Sequence, residues 1–152
     1  MRSSTSPLMF LAHDQWSPRF ENHFFTVRII AAESHSVAPE SASFSVPGKK
    51  NHPAYYYTIE VSMGHDRKIV YRRFSQFCWL HKQLAPHFAA TNSGNPAHDL
   101  PLVMPPKTCF LLPQDEKFAK NRSDQLEEFL EDALQRPGVA SNAAVALFFE
   151  LP

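Results

Sequence analysis

Between Lys68 and Phe88 the chain changes its period with no linker in between. Lys68-Ile69-Val70-Tyr71-Arg72 has the composition of a strand, and Phe77, Leu80, Leu84 and Phe88 then recur at helical spacing. The stretch Tyr71-Arg72-Arg73-Phe74-Ser75-Gln76-Phe77 is therefore a strand end, two adjacent arginines, an aromatic ring and a helix start. An arginine fork can grip a phosphate through two parallel hydrogen bonds. A neighbouring ring can pack on the face of a sugar, and a helix N-terminus adds unpaired N–H groups and a favourable dipole. Taken alone, such a pattern is more often a solvated strand end.

The surrounding elements define the fold class. Phe24 to Ala31 and Tyr55 to Ser62 have strand composition, and a turn at Gly64-His65-Asp66-Arg67 joins the latter to the Lys68–Arg72 strand as a hairpin. Three antiparallel strands are expected. Ser34 to Asn51 is rich in Ser, Pro, Gly and Lys and is expected as a long, mobile loop; Ala89 to Asp99 is a second, turn-forming loop. A helix from Ser75 to about Phe88 follows the strands. Pro101, Pro105, Pro106 and Pro113 make the run from Leu100 extended, because proline fixes φ and removes a donor. Helical spacing returns from Asp115, where Phe118, Arg122, Leu126, Phe129, Leu130, Ala133 and Leu134 keep to one broad face, and Pro137-Gly138 stops it. Ala143 to Leu151 is a last short apolar helix. The expected class is α+β: a three-stranded antiparallel sheet packed on a helical subdomain with a proline-rich extended loop. Residues 1–22 carry no periodicity and are expected as a flexible N-terminal arm, leaving 23–152 as one domain.

Composition narrows the function. Fifteen acidic and fifteen basic residues balance, so no overall basic field draws the chain onto nucleic acid, and any anion site must be local. The two cysteines, Cys78 and Cys109, lie apart and form neither a disulfide framework nor a metal-ligand pair, which suits a reduced cytoplasmic protein. Eight scattered histidines show no helical i, i+4 pair, and no metal site or cofactor is expected. Signatures of a P-loop, a nucleophile elbow, a zinc protease or a dinucleotide turn are missing from a sequence with only four glycines, so no enzyme is expected.

Three motifs in order resemble the PX (phox homology) domain. They are Arg72-Arg73-Phe74-Ser75-Gln76-Phe77, then Pro105-Pro106-Lys107, then Arg122, fifteen residues after Lys107, followed by Leu126, Phe129 and Leu130. The order of strands and helices agrees, and the resemblance covers about residues 24 to 151. It implies a module that binds phosphoinositides, most often phosphatidylinositol 3-phosphate on endosomal membranes. Carried over by position, Arg73 would contact the 3-phosphate and Phe74 would pack under the inositol ring, where the family often has Tyr. Lys107 would meet the 1-phosphate, and Arg122 would bond the 4- and 5-hydroxyls. Arg72 is a possible auxiliary ligand, although adjacent strand residues face opposite ways.

A single headgroup is a weak anchor, and a second signal is expected. Val103, Met104, Phe110, Leu111 and Leu112 lie on either side of Lys107 in the extended run and are candidates for entering the bilayer interface; buried core is the competing reading. The expected protein is cytoplasmic and peripheral on endosomal membranes, acting in membrane trafficking. The alternative is a protein-interaction scaffold on the same fold with weak or no lipid specificity, for which the zero net charge and two long loops speak.

Overall fold

The computed structural model describes residues 9–11, 24–40, 43, 45–90, 104–105, 116–136 and 138–151, with the side chains of 87–90 left aside. The elements are β1 (Met9–Phe10), β2 (Phe24–His35), β3 (Ala54–Met63), β4 (Asp66–Arg73), α1 (Phe74–Ala90), α2 (Glu116–Gln135) and α3 (Ala143–Phe149). The strands form one sheet in the order β1-β2-β3-β4.

β3 and β4 pair antiparallel across Gly64-His65, from Met63 opposite Asp66 to Tyr56 opposite Arg73. Gly64 takes φ 61, a left-handed conformation that glycine adopts without a Cβ penalty. β2 pairs antiparallel with β3, setting Val27 opposite Val61 and Ile29 opposite Ile59. Alternation sends Tyr57, Ile59 and Val61 to one face, where they are buried with Phe25, Val27 and Val70. The helices close over that face. Phe77, Leu80 and Leu84 of α1, Leu126, Phe129 and Leu130 of α2, and Val145, Phe148 and Phe149 of α3 complete one core. The Phe77 ring meets Phe148 edge-on at 5.0 Å and Tyr57 at 5.9 Å, arrangements that add to plain burial.

The sheet register shifts between Ile29 and Ala31, a bulge that bends β2. There the backbone N–H of Ile29 donates to the Glu127 side chain at 2.6 Å. A carboxylate of α2 thus satisfies a donor at the irregularity and ties the helix to the sheet. At the other end of the core, Asn142 caps α3 by accepting from the Ala144 N–H at 2.7 Å.

The α+β class, the β3–β4 hairpin and the order of three helices agree with the sequence reading. Two expectations are corrected. The sheet has four strands, because Met9 and Phe10 of the supposed arm pair parallel with Phe24 and Phe25. The Phe10 ring packs edge-on against Phe25 at 5.6 Å, and the Leu11 N–H donates to the Phe25 carbonyl at 2.8 Å. A two-residue strand is too short to show a period. The segment expected as a mobile loop from Ser34 to Asn51 is also partly built in. β2 runs to His35, and Val46 is buried in the core. Gln76 of α1 donates to the carbonyls of Ser43 and Val46 at 3.2 and 3.1 Å. The Ala89–Asp99 loop and the proline run lie outside the described residues, apart from Ala89, Ala90, Met104 and Pro105.

Arg72 is a fully buried cation of this core, at 0% exposure. Its Nε donates to the Phe148 carbonyl at 2.9 Å, one Nη to the Tyr71 carbonyl at 2.8 Å and the other to Glu150 at 3.0 Å. Burial pulls its pKa below the ordinary value, while Glu150 pulls the other way. The side chain therefore locks β4 to the C-terminal end of α3, where the helix dipole favours a positive charge. The auxiliary lipid-binding role expected for Arg72 is corrected accordingly: its donors face the core side of the strand. Arg72→Ala leaves buried acceptors and a void, and with Glu150 half-exposed the loss is at the lower end for a broken buried ion pair. We expect about 3 kcal/mol of destabilisation, read as a lower midpoint in urea.

Candidate functional site

Arg73 is the residue at which β4 ends and α1 begins. Its N–H donates to the side-chain oxygen of Gln76 at 2.9 Å. Gln76 thus reaches back over the first turn, as the third residue of a capping box does, and pins the junction. Phe74 and Ser75 open the helix, and no acidic residue stands in the first turn to offset its positive end.

A cleft of 460 Å³ opens here. Arg73, Phe74, Ser75 and Cys78 form one wall, and Tyr55 and Tyr57 of β3 form another. Phe118 and Arg122 close it from α2, and Lys49, Asn51 and Pro53 from the segment entering β3. No carboxylate is among the described lining residues.

The two arginines are held differently. One Arg73 Nη donates to the Asn51 carbonyl at 2.7 Å, and the other approaches the Asn51 side-chain oxygen at 3.3 Å. Its guanidinium carbon lies 5.9 Å from the Tyr56 ring. That ring is stacked on His52, whose Nε2 lies 2.8 Å from the Tyr56 hydroxyl. Arg122 lies flat against aromatic rings, 3.8 Å from the Phe74 centroid and 4.8 Å from that of Phe118. Such stacking suits a guanidinium in a half-dry site. Arg122 also hydrogen-bonds the Tyr57 side chain. Burial lowers the Arg122 pKa from its ordinary value, with Tyr57 opposing, and the group remains a cation at neutral pH. Tyr57 is pushed up to about 12 by burial, against the pull of Arg122.

Of the residues singled out in the sequence, Arg73, Phe74 and Arg122 line this one cleft, although Arg122 lies far from the other two in the chain. Arg72 points away from it. Lys107, Val103, Phe110, Leu111 and Leu112 lie outside the described residues. Met104 is half-buried and packs against the core, which corrects its place in an exposed apolar tip. Sequence reasoning missed Lys49 and Asn51, because they lie in a loop without periodicity. It took Tyr57 only as strand and Phe118 only as core. The usable signal was Gly48-Lys49-Lys50 shortly before the strand that pairs with Arg73.

The family model for the PX domain matches residues 60–152. This chain belongs to the PX domain family. The match runs from the middle of β3 through the junction, Lys107 and Arg122 to the last residue. Among solved structures, a designed CISK-PX domain is 25% identical with a TM-score of 0.57, covering 80% of this chain and 95% of that one. The mouse SNX19 PX domain is 20% identical with a TM-score of 0.53, covering 83% of this chain and 95% of that one, and shows the same fold. No curated protein matches the sequence. PX domains are phosphoinositide-binding modules that target membranes from the surface, and they are lipid-binding modules rather than enzymes. Among the described residues, no helix is long and apolar enough to cross a membrane.

The raised Tyr57 pKa gives an alkaline signature. The folded value of about 12 exceeds the ordinary 10.0. The stability held in the neutral phenol is fully present below pH 10.0 and is lost as pH rises toward 12. Phenolate absorbance should show one tyrosine ionising last, near pH 12, and Tyr57→Phe should remove that step.

Proposed function

We propose that this PX domain binds phosphatidylinositol 3-phosphate and recruits itself, or an assembly that carries it, to endosomal membranes for trafficking and protein sorting. The observation that carries the reading is the convergence of Arg73 and Arg122, from elements far apart in the chain, on a cleft whose described lining holds no carboxylate. In this reading Arg73 exchanges the Asn51 oxygens for the 3-phosphate. Phe74 packs under the inositol ring, and Arg122, fixed on Phe74 and Tyr57, bonds the 4- and 5-hydroxyls. Phosphates at those two positions would crowd a side chain that is already packed on both its neighbours. Lys107 meets the 1-phosphate. The SNX19 PX domain, a neighbour in fold, was crystallised with a bound sulphate ion, an oxyanion of phosphate-like shape.

Magnitudes agree with a recruitment role. Each charge-assisted hydrogen bond nets about 1.5–3 kcal/mol. Two or three of them, less ordering costs, support roughly micromolar affinity. That is weak for a lone anchor. Insertion of Val103, Phe110, Leu111 and Leu112 would supply the second signal, with Phe110 alone contributing about 1.5–3 kcal/mol.

Sedimentation with liposomes carrying each mono- and bisphosphorylated inositide, at equal total charge and physiological salt, tests the reading. Selective pelleting with the 3-phosphate is expected. Arg73→Ala should weaken it by about a hundredfold, two charge-assisted bonds' worth, with an unchanged melting temperature. Equal binding to every inositide would mean a nonspecific electrostatic contact. Absence of binding to all of them would favour the protein-interaction scaffold.

A further inference from the structure

The segment Lys49-Lys50-Asn51 runs beside Arg73-Phe74-Ser75 and is bonded to it at both ends. The Lys49 N–H donates to the Ser75 hydroxyl at 2.9 Å, and Arg73 donates to the Asn51 carbonyl at 2.7 Å. Residue 49 therefore lies level with the first turn of α1, two residues beyond Arg73. The approach leaves no room for a side chain at Gly48. A Cβ there would lie 2.7 Å from Cγ of Gln76 and 2.8 Å from Oγ of Ser75, inside van der Waals contact. Gln76 fixes the rest of the loop through the carbonyls of Ser43 and Val46 while accepting from the Arg73 N–H. One carboxamide thus sets the positions of both Arg73 and the loop that carries Lys49.

Lys49 itself is exposed and lines the cleft, whereas Lys50 does not. Among the described residues, no acid in the first turn of α1 or in the cleft lining competes for its ammonium. From this placement we infer that Lys49 is a further headgroup ligand, closing on the phosphate held by Arg73 from the loop side, and that Gly48 and Gln76 position it. The inference rests on the headgroup reading above. It adds a cation supplied by the loop between β2 and β3 to a site otherwise built from the β4–α1 junction and α2. An ammonium on a flexible stem suits this place, because it can follow a phosphate without the fixed geometry of a fork.

The test is titration calorimetry with short-chain soluble phosphatidylinositol 3-phosphate, which removes any contribution from a charged bilayer. Lys49→Ala should weaken binding by about tenfold, the loss of one charge-assisted contact. Lys49→Arg should keep most of the affinity. Lys50→Ala should bind as the parent does, and Gly48→Ala should lose about as much as Lys49→Ala because the loop is pushed off α1. If Lys49→Ala binds within about twofold of the parent while Arg73→Ala is weakened by about a hundredfold, the inference is overturned and the headgroup reading stands. If Arg73→Ala binds as the parent does, both are overturned.

Discussion

Successive residues of a strand face opposite sides, and this PX domain places two arginines across that divide at the end of β4. Arg72 turns into the core and fastens the end of α3. Arg73 turns to the cleft, where its backbone N–H is gripped by Gln76 and its guanidinium by Asn51. Most of what positions the site follows from this pair. If α3 were released, the Phe77–Phe148 contact that seats α1 on the sheet would go with it. If Gln76 were removed, both the helix start and the loop bearing Lys49 would lose their anchor.

The cleft is cationic although the chain is neutral. Four of the described acids are engaged elsewhere: Glu127 on the bulge of β2, Glu150 on Arg72, Asp124 on Lys120, and Asp132 on Arg136. Each is either structural or partnered away from the cleft. A domain of zero formal net charge has no overall basic field to draw it to every anionic surface. In the proposed reading, this arrangement favours selection of a headgroup over general adhesion to a membrane.

Much of this was legible in the sequence, for physical reasons. Strands β3 and β4 announce themselves through β-branched and aromatic runs around a glycine turn, and α2 through apolar residues on one face. The adjacency of Arg72 and Arg73 to a helix start marks the junction, and strand alternation alone separates their directions. What stayed hidden lacked periodicity. β1 is two residues long and is held, among the described residues, by a ring contact, a short parallel pairing and the Leu11 N–H bond to Phe25. The loop ending at Asn51 looks like a linker by composition, yet Gln76, the Ser75 hydroxyl and Arg73 bond to it, and Gly48 leaves no room for a Cβ where it docks against α1. Tyr57 reads as an ordinary strand aromatic, because nothing local shows that Arg122 will arrive from another element to meet it. Contacts made between distant segments leave no local trace.

Nitrogen-resolved NMR of the arginine side chains, followed during titration with short-chain phosphatidylinositol 3-phosphate, would test the division of labour most directly. The account predicts that the Nε resonances of Arg73 and Arg122 shift together and saturate at one equivalent, while that of Arg72 stays in place. A titration that leaves Arg73 unmoved, or that shifts Arg72 alongside the others, would contradict it.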